Sequence, residues 1–418
     1  MADDALLFTN ARILTPIHEL EDAYLLAVKG KIQELGGMRD VPTAGSAGAR
    51  VVDLSGLTIV PGLIDIHTHG GYGIDISAHP ERVNELSTKK ASEGVTSYLP
   101  TFFSTLPFDG LLAALDGLTT LIGSASSGGA AAIGINMEAP FLHPKLGAHS
   151  GRFDIEPSPQ AIETLLSHGK GLIRIMTIAP ELPGAMDCIT ALRARGVIPS
   201  IGHSLAEPPL LARAVDRGAY LATHLLNGTF PLAAREPGVV PVGLNEYLLV
   251  RDDVWAEFIS DTDGAHIHPV VMKILLRCKG VDRLILVTDA MFTAGMPPGP
   301  YQLPDGRTIR SDGSVNRLAD GHLTGSAMRM NLSLGSCVRH TGLPLRDALR
   351  MATVNPARLL GLETVTGSIQ AGLRADLAVV DDACEVQMTV VGGAVVYDRA
   401  TRTSSRPDAS RYPRQSTQ

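Results

Sequence analysis

Two histidines one residue apart, His67 and His69, close an apolar run that begins at Leu57. Side chains alternate along an extended strand, so a His-x-His pair turns both imidazoles to one side. Two imidazoles so placed make half of a divalent metal site, and imidazole suits several transition metals. With thirteen histidines in the chain a chance His-x-His is cheap, so the pair gains meaning only from its company. That company is Glu138, His203, His224 and Asp289, each at or near the end of another short apolar run. Taken singly, each has a bland explanation as a helix cap or a satisfied core histidine. Gathered in one place, they would carry a heavy desolvation cost unless a cation compensated them. Imidazole and carboxylate without cysteine fit a catalytic zinc, iron or manganese centre of one or two ions, with a position left for water, better than a closed structural zinc. Such an ion brings the pKa of its water toward about 7 and polarises a carbonyl oxygen. Asp289 would then take the water proton and return it to a leaving amine. The chemistry expected is metal-assisted hydrolysis of an amide or a similar C–N bond.

These residues meet only if the runs that carry them are neighbouring strands pointing one way. Eight runs fit, at residues 58–67, 96–101, 132–138, 172–178, 197–203, 220–225, 256–260 and 283–289, with helical patterns such as 81–93 and 209–217 between many of them. Alternating strands and helices predict parallel βα units, and eight of them close into a TIM-like (β/α)8 barrel whose active site lies at the C-terminal strand ends. The fold class expected is therefore α/β, with the barrel over residues 57–360. Residues 1–56 and 361–400 carry short strands and turns, which predicts one small β-sandwich-like domain built from both chain ends. The Arg-rich segment 401–418 reads as a disordered tail.

Composition narrows the class of partner. A chain of 418 residues with 44% hydrophobic and 19% charged residues has the balance of a globular enzyme. A formal charge of -7 offers no basic stripe for phosphate backbones, so no nucleic-acid partner is expected. Cys188, Cys278, Cys337 and Cys384 stand far apart, which predicts buried free thiols rather than disulfides or a thiolate metal site. An acidic start, Met1-Ala2-Asp3-Asp4, and the lack of an apolar run of roughly 20 residues predict no membrane association and a cytoplasmic location.

The segment Pro61-Gly62-Leu63-Ile64-Asp65-Ile66-His67-Thr68-His69-Gly70-Gly71 resembles the opening motif of the amidohydrolase superfamily. Further motifs resemble, within it, the N-acetylglucosamine-6-phosphate deacetylase family. Among them are Met137-Glu138-Ala139-Pro140-Phe141, Gly202-His203-Ser204, Thr223-His224-Leu225-Leu226-Asn227, Arg235-Glu236-Pro237-Gly238, Asp263-Gly264-Ala265-His266, Val287-Thr288-Asp289-Ala290 and Leu323-Thr324-Gly325-Ser326. The resemblance runs from about residue 5 to residue 398. It implies that Glu138, His203 and His224 hold the principal ion, that His67 and His69 support a second, and that Asp289 is the catalytic acid and base. It further implies that Ala148, His149, Asn227, Gly228, Arg235, His266, Leu323, Thr324 and Gly325 line an amino-sugar phosphate pocket. Arg235 is the expected phosphate contact, a guanidinium fork suiting phosphate oxygens. A homodimer that shares the Arg235 and His266 contacts across its interface is also implied. The chain departs from the family pattern at Ala139, at Gly228, at Ala233-Ala234 and in a shortened stretch between Glu138 and His149, and His143 stands where the family often has Asn. These departures surround the substrate and spare the metal ligands. Other readings keep the scaffold and change the substrate, to N-acetylgalactosamine 6-phosphate or another N-acyl compound, or drop catalysis for a metal-binding scaffold. His18, His79, His168, His322 and His340 read as solvated.

Overall fold

The apolar run at 58–67 serves two sheets, where the sequence suggests a single strand. Thr58–Pro61 belongs to the small β domain, Leu63–Thr68 is the first strand of the barrel, and Gly62 separates them. The glycine is required by close approach: a Cβ at Gly62 would lie 2.2 Å from the Thr96 side chain of the adjacent barrel strand. Its N–H donates to the Asp376 carbonyl at 2.9 Å, which ties the junction to the returning C-terminal segment. The computed structural model describes residues 5–41, 48–103, 105–122, 128–148, 153–228 and 237–402.

Thr58–Pro61 is also where the two chain ends meet. It pairs in parallel with Ala5–Leu14 through Arg12 and Ile13, and antiparallel with Leu377–Val380. The eight-stranded sheet continues outward through Glu19–Val28 and Lys31–Gly37 on one side, and through Val386–Val391 and Ala394–Asp398 on the other. Phe8, Ile13, Leu25, Ile59, Leu377 and Val390 form its buried core, as period-2 alternation in a half-buried sheet requires.

Eight parallel strands make the barrel: Leu63–Thr68, Val95–Phe102, Ile135–Phe141, Ile173–Ile178, Ile198–Ile201, Leu221–Ala222, Trp255–Ile259 and Leu284–Val287. Its interior is filled by branched residues, among them Ile64, Ile66, Ile175, Ile259 and Val287, a layer typical of a packed barrel core. Closure between the last strand and the first uses few ladder bonds. The Asp289 N–H donates to the His67 carbonyl at 2.9 Å, and the Thr288 hydroxyl donates to Asp65 at 2.6 Å. Asp65 in turn faces the buried Lys90 at 3.6 Å, on the helix Val83–Lys90. The outer helices follow amphipathic spacing. In Pro159–Gly169 the Ser158 hydroxyl caps the helix by accepting from the Ala161 N–H, and Ile162 and Leu165 face inward.

One element went unrecognised in the sequence. Between the last barrel strand and the helix Met330–Thr341 lies a four-stranded antiparallel sheet, Gly299–Gln302, Thr308–Ser311, Val315–Leu318 and Leu323–Ser326. It is docked beside the closure, since the Ser326 N–H donates to the Asp289 carbonyl at 2.8 Å. Of the four thiols, Cys188, Cys337 and Cys384 are buried and free, whereas Cys278 is exposed on the outer face of the helix Pro269–Lys279. Among the described residues no helix is long and apolar enough to cross a membrane.

Candidate functional site

Glu138 is the centre of the site. Its Oε1 lies 2.9 Å from Nε2 of His203 and 2.9 Å from Nε2 of His224, and those two nitrogens are 3.1 Å apart. Its Oε2 lies 3.2 Å from Nε2 of His69 and 3.5 Å from Nε2 of His67. Among the described residues, His67, His69 and Glu138 form one possible metal triad, and Glu138, His203 and His224 the other. Edges of this length fit ligands around one ion with bonds of about 2.0–2.2 Å. Two imidazole nitrogens facing each other across a carboxylate, all buried, fit a cation better than a proton network, and the His67 Nε2 and Glu138 Oε2 atoms lack a hydrogen-bond partner.

The barrel aims these groups. Glu138 sits within the third strand, whereas His203, His224 and Asp289 lie just beyond the ends of the fifth, sixth and eighth. All three have left-handed backbones, with φ of 46° at His203, 25° at His224 and 48° at Asp289. Non-glycine residues held there cost on the order of 1–3 kcal/mol each, a cost that clusters at functional sites. Sequence periodicity carries no sign of this turn.

Two groups that the sequence reading missed hold the first histidine pair. The Glu257 carboxylate, on the seventh strand, accepts from His67 Nδ1 at 2.9 Å and from the His224 N–H at 3.3 Å. The Thr101 carbonyl accepts from His69 Nδ1 at 3.2 Å. Both contacts leave Nε2 turned toward Glu138, the tautomer a metal requires. Glu257 ends no apolar run; only its position in a strand of the same barrel marks it.

Asp289 stands beside the triad of His67, His69 and Glu138, its Oδ1 3.0 Å from His69 Nε2 and 3.6 Å from His67 Nε2. Burial opposes charge on every one of these groups, but their mutual attraction prevails. Glu138 and Glu257 hold His67 well above the ordinary imidazole value, hydrogen bonds to Asp289 and Glu138 bring His69 to about 9, and Glu138 raises His224. The imidazoles reciprocally hold Glu138 well below the usual carboxylate range and lower Asp289.

A cavity of about 330 Å³ opens over the centre. Asn227, Gly228, Ala148, Leu323, Thr324 and Gly325 line it, as do Glu138, His69, His203, His224 and Asp289. His149 and Arg235 lie outside the described residues. His266 does not line the cavity: it is buried against Asp261, whose carboxylate accepts from Nδ1 at 3.0 Å and from its backbone N–H at 2.7 Å. His143 likewise stays in its loop, where Nδ1 accepts from the Lys145 N–H. His322 is exposed, as expected, and at the same time borders the cavity with Arg317, both carried by the four-stranded sheet. The same sheet fixes the opposite wall, since Arg307 donates to the Ala148 carbonyl at 2.6 Å.

Comparison with known proteins agrees with this geometry. Residues 276–396 match the Amidohydrolase family. The N-acetylgalactosamine-6-phosphate deacetylase of Escherichia coli O157:H7 is 33% identical over 384 residues, 91% of this chain and 97% of its own. The N-acetylglucosamine-6-phosphate deacetylase of Bacillus subtilis is 31% identical over 398 residues, 94% of this chain and 98% of its own. Among solved structures, a variant of the Mycobacterium smegmatis N-acetyl-D-glucosamine-6-phosphate deacetylase in complex with N-acetyl-D-glucosamine-6-phosphate superposes with a TM-score of 0.83 at 32% identity, covering 94% of this chain and 99% of that one. Buried Glu/His triads at the mouth of a (β/α)8 barrel, together with relatives matched along nearly the whole chain, place it in the amidohydrolase superfamily, as a member of the N-acetylglucosamine-6-phosphate deacetylase family.

Proposed function

We propose that this chain hydrolyses the acetamide of N-acetyl-D-glucosamine 6-phosphate, adding water across the C–N bond to give acetate and D-glucosamine 6-phosphate. The observation that carries the reading is the pair of triads sharing Glu138, with Asp289 3.0 Å from one of their ligands, under a cavity that fits one small ligand. In it Glu138, His203 and His224 hold the principal ion and His67 and His69 a second; zinc, iron and manganese all suit such donors. When bound, a divalent ion supplies Lewis acidity to a carbonyl oxygen and acidifies water. Asp289 Oδ1 accepts the proton of the attacking water and delivers it to the amine nitrogen as the C–N bond breaks. Ala148, His149, Asn227, Gly228 and the Leu323–Gly325 segment serve the sugar, His149 in the role of polarising the acetyl carbonyl, while Arg235 and His266 serve the phosphate.

Association as a twofold dimer belongs to the same reading. His266 does not line its own cavity, and Val239, Val240 and Val242 are exposed, an apolar surface suited to a second copy. The enzyme then works in the cytoplasm, where sugar phosphates are found. A second reading, N-acetylgalactosamine 6-phosphate as substrate, follows from the name of the Escherichia coli relative and changes one stereocentre only. Acetate release measured on both phosphorylated sugars and on unphosphorylated N-acetylglucosamine separates these readings. The proposal requires the glucosamine 6-phosphate derivative to give the highest kcat/KM, and equal rates on all three would overturn it. Sedimentation of a fully active protein at the mass of one chain would overturn the dimer.

A further inference from the structure

Glu257 is the buried carboxylate for which the reaction has no direct use. It is 1% exposed, and its Oε1 atom has no hydrogen-bond partner. Its Oε2 accepts from His67 Nδ1 at 2.9 Å and from the His224 backbone N–H at 3.3 Å, so one oxygen touches a ligand residue of each triad. Its own carbonyl accepts from the Leu225 N–H at 2.8 Å, which fixes the turn after His224 to the seventh strand. Isolated buried carboxylates are strongly disfavoured, and a carboxylate on the far nitrogen of an imidazole orients the ring and increases its donor strength toward a cation on the near nitrogen.

From this placement we infer that Glu257 is a positioning residue for the second divalent ion, holding His67 so that its Nε2 atom faces the bridging Glu138. Glu138, Glu257 and Asp289 bring three buried carboxylates to the centre, a density of negative charge that calls for cations beside it. The triad of Glu138, His203 and His224 depends on Glu257 less, because only a backbone N–H of His224, and no ligand side chain of that triad, reaches Glu257. The inference rests on the two-ion reading of the site, and its test separates the two.

The test is metal stoichiometry, with no need for turnover. Metal-free wild-type protein, Glu257→Gln and His67→Ala are titrated with Zn²⁺ alone and analysed for bound metal after chelator challenge. The amide oxygen of Glu257→Gln can accept the same two hydrogen bonds, so the fold is preserved while the charge is lost. Wild type should hold two ions per chain, and Glu257→Gln should bind the second about 10–100-fold more weakly, the usual effect of losing such a partner, with affinity for the first unchanged. Glu257→Asp, which keeps the charge but shortens the reach, should fall between them and serves in place of Glu257→Gln should that variant fail to fold. Two ions bound by either Glu257 variant with wild-type affinity would overturn the role of Glu257. One ion in the unmodified protein would overturn the two-ion reading, and the inference with it, and is distinguished by appearing without any substitution.

Discussion

Replacing Asp289 by Asn tests proton transfer apart from metal binding and folding. The barrel closure at this residue uses backbone atoms, its N–H to the His67 carbonyl and its carbonyl from the Ser326 N–H, so the side chain can change without opening the barrel. Its φ of 48° is a region that Asn tolerates almost as well as Asp. Asp289 is in neither triad, and each triad keeps its three donors in the variant. What is lost is a basic oxygen 3.0 Å from His69 Nε2, placed to exchange a proton with reactants above the centre. General acid and base catalysis contributes about 10²–10⁴, or roughly 2.7–5.4 kcal/mol at 1.36 kcal/mol per decade. We therefore expect Asp289→Asn to lose that factor in kcat, with KM and bound metal close to wild type. Steady-state acetate release and elemental analysis of the same preparation measure both. A variant that retains more than about a tenth of the wild-type kcat would refute the proton-transfer role. One that loses its metal would show instead that Asp289 is chiefly a ligand.

Glu138→Ala should strip the protein of most bound metal, because both triads share that carboxylate; elemental analysis showing wild-type content would contradict the site. Metal affinity should rise steeply with pH. His67, His69 and His224 are raised in the metal-free protein, so protons occupy the donor nitrogens and must leave when an ion binds. For His69 the stabilisation of the metal-free fold is fully present below the unfolded value near 6.5 and is lost as pH rises through about 9, the window in which metal affinity should grow. Calorimetry in buffers of different ionisation enthalpy counts the released protons, and none released at pH 7 would contradict this account. Arg307→Ala removes the clamp on the Ala148 carbonyl and should raise KM about 2–10-fold, the worth of one net hydrogen bond, with a smaller change in kcat; an unchanged KM would mean that the loop holds itself.

The candidate metal donors were legible in the chain because each ends or interrupts an apolar run, and a barrel collects strand ends at one face. His67, His69, Glu138, His203, His224 and Asp289 come together for that reason, and the βα alternation that predicts the barrel is local and periodic. The junction at Gly62 escaped the same reasoning, since one unbroken apolar run reads alike whether it feeds one sheet or two; the Thr96 side chain 2.2 Å from a Cβ there exists only after folding. The four-stranded sheet that brings Arg317 and His322 to the cavity and Arg307 to the Ala148 carbonyl was equally hidden, its strands being four residues each, too short for a periodic signal. Glu257 shows the difference most plainly. In sequence it is one acidic residue in Trp255-Ala256-Glu257-Phe258-Ile259, 190 positions from His67. The amino-acid order determined which side chains could bind a metal. The tertiary structure decided which of them face each other and which carboxylate stands behind them, because contacts between distant strands depend on barrel register and closure rather than on any local pattern.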